Sequence, residues 1–159
     1  MKLDFIKNAF DNIQTEISQD GETITILNPY SNSHIVVDYE FFASTDGLDS
    51  FEQYTAQFSY QHRHFKNRND VIEWIKSIIE GSLLAIEFFI GTNNCFGGEI
   101  PFLSIKQLTY DIFVKEYGFY NGFSQCDNFK IRSWNCKNDY DGYLLKHKKN
   151  EVYVVINKI

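Results

Sequence analysis

Two histidines spaced two residues apart are the side chains of this sequence best placed to do chemistry. His62 and His64 lie in residues 54–64, where apolar and polar side chains alternate. Because residues i and i+2 of a β-strand point to the same face, both imidazoles could bind one metal ion. Glu87, in a later apolar stretch, could supply a third ligand or form an acid–base pair with a histidine.

A structural role for these three residues is nevertheless favoured. A metal site needs a third and usually a fourth ligand, and no sequence spacing brings Glu87, His34 or His147 to the histidine pair. Two amphipathic rings can also end the apolar face of a strand, and a carboxylate in a strand can pair with a cation or face water. We therefore assign no catalytic residue, metal ligand or cofactor. A metal-dependent or acid–base enzyme using His62, His64 and Glu87 is the alternative.

Three other segments resemble functional motifs but depart from them. Residues 91–98 follow an apolar stretch and contain three glycines, but they lack the Gly-Lys-Ser/Thr ending of a phosphate-binding loop. Residues 139–142 suggest part of a calcium loop, but the register puts Lys137 and Lys148 where carboxylates are required. Cys95 has no histidine near it in sequence, so a cysteine nucleophile is not favoured. We expect residues 91–98 to form a loop between strands.

The elements that would position the histidines are a strand, a helix and a second strand. Residues 54–64 are predicted to form one half-buried strand. Its inner face is predicted to hold Tyr54, Ala56, Phe58, Tyr60, His62 and His64. A helix follows, with Asp70 and Glu73 as a capping box and Gly81 as a left-handed C-cap. Residues 82–90 are apolar on both faces except at Glu87, which predicts a central strand covered on both sides.

The rest of the chain completes an α+β pattern. Two further helices are predicted, one over residues 3–17 and one from Ile105 to Gly118 that also has strand propensity. The predicted strands form a hairpin from 23–27 and 34–44, a short strand at 99–103, a strand at 129–136 and a hairpin from 141–146 and 152–156. A loop is predicted over residues 117–129. We predict an α+β fold, a single domain over residues 1–159. It has a mostly antiparallel sheet of about six to eight strands, with two or three helices packed on it.

Composition and charge limit the classes of partner. Of the 159 residues 43% are hydrophobic and 17% aromatic, which is ample for a core. The net charge of −6 argues against a nucleic-acid partner and favours a basic protein partner or none. No apolar run is long enough to span a membrane, and the N-terminus lacks signal-peptide features. Three cysteines without a Cys-x-x-Cys pair indicate reduced thiols, so we expect a cytoplasmic protein.

Two predicted surface features could bind a partner. The first is an acidic cluster formed by Asp38, Glu40, Asp46, Asp49 and Glu52. The second is an aromatic loop that contains Tyr117, Phe119, Tyr120 and Phe123 among glycines and asparagine. Each has a simpler interpretation: the acids could be a solvated loop, and the aromatic rings could fold back to cover the sheet. A small-ligand pocket lined by Trp74, Tyr60 and Phe58 is a third possibility.

One segment resembles a known group of proteins. Its pattern is an aromatic, histidine-containing strand, an isoleucine-rich helix, a glycine and an apolar strand, carried by Phe58, Tyr60, His62, His64, Phe65, Gly81 and Gly91. This pattern resembles small acidic cytosolic α+β proteins of Firmicutes, some of which are assigned as immunity proteins of polymorphic toxin systems. The resemblance implies a non-enzymatic protein that neutralises a basic toxin or effector. It assigns no site residues.

Overall fold

The computed structural model describes the backbone of residues 1–146 and 152–159. These residues form two antiparallel sheets of five strands each, together with three α-helices, which confirms the predicted α+β class. The strands are β1 Thr15–Ile17, β2 Thr23–Ile26, β3 Ile35–Ala43, β4 Ser50–Phe58, β5 Gln61–Phe65, β6 Leu83–Ile90, β7 Asn93–Pro101, β8 Asn128–Arg132, β9 Tyr140–Lys146 and β10 Val152–Lys158. The α-helices are α1 Asp4–Ala9, α2 Arg68–Ile79 and α3 Tyr110–Tyr117, and short 3-10 helices span Phe102–Gln107 and Phe123–Gln125.

The first sheet is a meander in which strands β1 to β5 lie in chain order. Its inner face packs against α1 and α2, because alternate residues of β2, β3 and β4 are apolar and fully buried. Asn67 begins α2 by accepting a hydrogen bond from the backbone N–H of Asp70 at 3.0 Å. Gly81 has φ of +80° directly after the C-cap residue, as the predicted left-handed end of the helix requires.

The second sheet has the order β10-β9-β8-β6-β7, with β6 between β8 and β7. Six consecutive residues of β6 are buried, which confirms the predicted strand covered on both faces. Phe88 lies in the core beneath α3, whereas Ala85 reaches the core of the first sheet. The helix predicted near residues 105–118 is present, but its α-helical part begins only after Thr109, whose hydroxyl accepts the N–H of Ile112 at 3.3 Å.

The prediction that residues 54–64 form one strand is wrong. The chain reverses at Ser59 and Tyr60, so β4 and β5 form a hairpin in which Phe58 pairs with Gln61. Ser59 has φ of +59°, a left-handed conformation that suits the tight turn. The reversal changes which residues face inward. In β5 the buried residues are Gln61 and Phe65, whereas residues 62–64 are exposed.

The predicted helix over residues 3–17 is also wrong beyond Ala9. The chain turns after α1, and the β-branched residues Thr15 and Ile17 enter strand β1, which pairs with β2. The apolar residues of the predicted stripe still face the core. Leu3, Ile6 and Phe10 are buried there, and the periodicity therefore identified contacts correctly while assigning the wrong element.

Residues 91–98 are not the predicted loop. The chain turns at Gly91, and Asn93 begins strand β7, which pairs with β6 along its length apart from a bulge at Cys95. Gly97 and Gly98 serve close packing in this strand. A Cβ atom at Gly97 would lie 2.4 Å from the carbonyl oxygen of Tyr60, so the turn of the first sheet sits directly on the second sheet.

The terminal hairpin of β9 and β10 is confirmed, and its predicted turn at residues 148–150 lies outside the described residues. The three cysteines form no disulfide. Burial raises the pKa of the Cys126 thiol to about 12, which keeps it protonated at neutral pH. No helix within the described ranges is long and apolar enough to cross a membrane.

Candidate functional site

The histidine pair is present on β5, on its exposed side. The rings of His62 and His64 lie 5.2 Å apart between centroids, close enough for two ligands of one ion. His64 Nδ1, however, lies 2.9 Å from Thr55 Oγ1 and 3.1 Å from Gln53 Nε2, so its ring is held by neighbours on β4. In the part of the chain that the structure describes, no group of three or more His, Cys, Asp or Glu side chains could hold a metal ion.

Glu87 is buried on the face of β6 that meets the first sheet. Its carboxylate accepts a hydrogen bond from the hydroxyl of Ser59, the residue at the tight turn between β4 and β5. His34 lies elsewhere and accepts the backbone N–H of Asn28 at 2.9 Å, and His147 falls outside the described residues. The potential ligands of the enzyme alternative are therefore divided among separate environments, and Glu87 contributes to the contact between the sheets.

The hairpin of β3 and β4 extends beyond the rest of the first sheet. Strand β2 pairs with β3 only as far as Asp38, and β5 pairs with β4 only as far as Tyr54. The pairing of β3 with β4 continues to Ala43 and Ser50. Residues 40–53 thus form a two-stranded ribbon with both edges free, which we call the arm.

The arm combines acidic and aromatic side chains. It holds four carboxylates and none of the 15 Lys and Arg residues of the chain. Phe41, Phe42 and Phe51 are 58%, 41% and 45% exposed, and Leu48 at the tip is 83% exposed. The rings of Phe42 and Phe51 stack at 5.0 Å on one face of the ribbon, whereas Phe41 lies on the other. Exposed apolar groups surrounded by charge are typical of interaction surfaces.

All five residues of the predicted acidic cluster lie on this one hairpin. Asp38 accepts a hydrogen bond from Thr23 Oγ1 at 2.7 Å. Asp46 closes the tip by accepting from Ser44 and from the N–H of Leu48, and these bonds lower its pKa. The side-chain carboxylates of Glu40 and Asp49 make no hydrogen bond or ion pair with any described residue, so both carboxylates can contact a partner.

Glu52 anchors the base of the arm to the body of the protein. Its carboxylate accepts hydrogen bonds from the hydroxyls of Tyr39 at 3.2 Å and Tyr54 at 3.1 Å, and it lies 3.9 Å from the guanidinium of Arg68 on α2. Burial, and then the bond to Glu52, raise the pKa of Tyr39. The base is therefore a network of polar contacts that fixes the direction in which the arm leaves the sheet.

The predicted aromatic loop mostly folds back onto the second sheet. Tyr117 and Phe123 are buried core residues, with their rings 5.0 Å and 5.6 Å from that of Phe88. Tyr120 stacks between Phe96 and Phe119, and only Phe119 is largely exposed, at 76%. The prediction that Tyr117 and Phe123 belong to a partner surface is therefore wrong, because both rings are buried.

Sequence reasoning missed Glu99, which joins the two sheets. Its Oε1 accepts hydrogen bonds from Trp74 Nε1 at 2.7 Å and from Gln61 Nε2 at 3.1 Å, and its Oε2 lies 3.3 Å from Arg63. Tyr117 also donates to the Glu99 carbonyl at 2.5 Å. Nothing in the sequence singled out a lone acid in a short predicted strand, because its partners come from distant elements.

Trp74, Tyr60 and Phe58 do not line a common pocket, so the predicted small-ligand site is not formed by these residues. Phe58 is fully buried, Tyr60 is exposed at the turn, and the Trp74 indole is directed to Glu99.

Searches against protein-family models, curated proteins and solved structures found no match. A function is therefore inferred from the geometry of the described residues.

Proposed function

We propose that this chain is a non-enzymatic protein-binding domain whose arm binds a basic protein partner. The observation that carries the proposal is the arm itself, a ribbon with free edges, three exposed phenylalanines, four carboxylates and no cationic side chain. An isolated hairpin gains little stability of its own, so an exposed ribbon of this kind indicates a role in binding.

Charge identifies the kind of partner. The arm repels nucleic acid and acidic proteins, and it attracts a surface rich in lysine or arginine. Glu40 and Asp49 are the strongest candidates for such contacts, since neither carboxylate is engaged by a described residue. A cationic partner can reach them without breaking an internal bond.

The exposed phenylalanines supply the apolar part of the contact. Large rings that become buried at the centre of an interface often contribute about 2 kcal/mol or more each when truncated. The ring of Phe51 already lies 5.3 Å from Lys66 Nζ, which shows that this face accepts a cation over an aromatic ring.

The narrower form of the proposal is an immunity protein that neutralises a toxin in the cytoplasm. It is supported by the segment resemblance and by the acidic, compact character of the chain. Its partner would be the basic effector domain encoded beside the gene for this chain, so that gene product is the first protein to test.

The test is a titration of the neighbouring gene product with the purified chain by calorimetry at several salt concentrations. We expect a saturable complex whose Kd rises with salt. In the triple variant Phe41→Ala, Phe42→Ala, Phe51→Ala, binding should weaken by about 100-fold or more, because several central rings are lost together. The reversal Glu40→Lys with Asp49→Lys should weaken binding mainly through a slower association rate.

The matched control is Phe119→Ala, which removes an exposed ring from the loop that packs on the second sheet. It should leave the Kd unchanged. An equal loss from Phe119→Ala and from the arm variant would move the interface to the aromatic loop. Full binding by the folded triple arm variant would overturn the proposal.

A further inference from the structure

A groove on the side of the first sheet has a lining unlike the rest of the surface. Its volume is about 690 Å³, within the range of sites that hold small organic ligands. It lies between the segment before β1, the loop after β2, the end of α2 and the loop after β8. Its walls are formed by Asn12, Ile13, Gln14, Leu27, Asn28, Pro29, Tyr30, His34, Ile79, Trp134 and Asn135.

The lining contains no Asp, Glu, Lys or Arg, although the chain carries 36 such residues, 21 acidic and 15 basic. Aliphatic side chains, a tyrosine and four side-chain amides surround the space instead. A charged ligand would find no counter-ion here, so the groove suits an uncharged molecule with both apolar and hydrogen-bonding parts.

Trp134 supplies a donor to this groove. The residue is only 3% exposed, but its indole Nε1–H makes no hydrogen bond with a described residue and is not a buried atom, so it remains available to a ligand. The other indole of the chain is engaged, since Trp74 Nε1 donates to Glu99 at 2.7 Å.

His34 supplies a second donor with a fixed orientation. Its Nδ1 accepts the backbone N–H of Asn28 at 2.9 Å, so in the neutral ring the proton is assigned to Nε2. The Asn28 amide, itself buried, donates to the carbonyls of Trp134 at 2.8 Å and Ser33 at 3.0 Å. Through Asn28, these hydrogen bonds connect Trp134 and His34 within one wall of the groove.

We propose that this groove binds an uncharged, ring-sized ligand that presents oxygen acceptors to Trp134 and His34. Neutral nucleosides and monosaccharides share this chemistry, since both carry carbonyl or hydroxyl oxygens and an apolar ring face. The site is independent of the arm, and its occupation neither requires nor blocks a protein partner there.

The test uses the indole region of a ¹H–¹⁵N NMR spectrum of the full chain. The chain has two tryptophans, so two indole signals are expected, and Trp74→Phe and Trp134→Phe assign them. Uridine and N-acetylglucosamine are titrated separately, to about 10 mM, a limit that corresponds to very weak binding. Uridine monophosphate and N-acetylglucosamine 6-phosphate serve as charged counterparts.

We expect a saturable shift of the Trp134 indole signal with at least one neutral compound, and no shift of the Trp74 signal. The compound that produces this shift shows whether the ligand is a nucleoside or a monosaccharide. The phosphorylated counterpart should bind at least about tenfold more weakly, and Trp134→Phe should raise the Kd by about tenfold through loss of one hydrogen bond. Trp74→Phe should leave that Kd unchanged.

A Trp134 signal that stays fixed with both neutral compounds would overturn the proposal. Equal or tighter binding of the phosphorylated compounds would do the same, because it would show a cationic site. The experiment on the wild-type chain alone decides these outcomes, even if the Trp134→Phe variant fails to fold.

Discussion

Phenylalanines at the centre of the second sheet are buried, whereas those of the arm are exposed. In the second sheet Phe88 is fully buried, and five aromatic rings lie within 6.2 Å of its centroid. In the first sheet Phe41, Phe42 and Phe51 stand on strands that run past their neighbours, and all three are exposed. The residue type is the same, and what differs is whether an adjacent element covers it.

This difference indicates which rings stabilise the folded chain and which could bind a partner. Rings around Phe88 fix the position of α3 and the loop that follows it, so their contribution is to the folded state. Rings on the arm are 41–58% exposed, so truncating them removes less internal packing. Exposed rings that add little stability are therefore the better candidates for binding a partner.

The largest expected contrast comes from truncating one ring in each sheet. Phe88→Ala should lower the free energy of unfolding by about 3–5 kcal/mol, because it leaves a cavity at the centre of the aromatic cluster. Phe42→Ala should change it by no more than about 0.5 kcal/mol. Urea unfolding followed by circular dichroism measures both values, and similar losses for the two variants would show that the arm is packed against the body.

A smaller effect is expected where the two sheets meet. Gly97→Ala places a Cβ 2.4 Å from the Tyr60 carbonyl oxygen, and backbone atoms cannot move aside as a side chain can. We expect a loss of about 1–3 kcal/mol in the free energy of unfolding.

Gly98→Ala is the control for this junction. Its Cβ would lie 3.0 Å from the ring of Tyr117, a less severe approach than that of Gly97 to the backbone, and alanine suits a strand better than glycine does. We expect a change within about 1 kcal/mol. If thermal unfolding shows Gly97→Ala to be as mild, the sheets are not in direct backbone contact.

The smallest effect concerns the tip of the arm and its response to acid. Hydrogen bonds from Ser44 and from the Leu48 N–H hold the pKa of Asp46 below its ordinary value of 3.8. The lowered pKa means that the tip gains stability above pH 3.8 and loses it as the pH falls through the lowered value. An NMR titration of the Asp46 carboxyl should therefore show a midpoint below 3.8.

Ser44→Ala removes the stronger of these two bonds and should move the midpoint toward the ordinary value. The exposed signals of the second sheet should not change with this variant. An unchanged Asp46 midpoint would mean that the tip is not closed by this hydroxyl.

Local periodicity was enough to predict the best-defined elements. Helix α2 and strand β6 were correct because their apolar spacing and the glycine between them are signals within one short segment. The reversal at Ser59 was missed because the turn contains neither Gly nor Asn, and alternation continues through it in the sequence. That single error placed His62 and His64 on the wrong face.

The candidate sites were only partly predictable for a related reason. The acidic cluster was found because its members lie within one hairpin, so proximity in sequence is proximity in space. Glu99 and the groove at Trp134 were missed, since their partners come from elements that are remote in the chain. No spacing rule connects Asn28 with Trp134.

The free edges of the arm have a consequence for how molecules of this protein meet one another. A ribbon with unpaired N–H and C=O groups along both edges is a template for pairing with a second copy, and three exposed rings would strengthen such an association. Four carboxylates on every arm make two arms repel. The same charges that would attract a basic partner therefore oppose pairing of two arms, and a variant without these carboxylates should aggregate edge to edge.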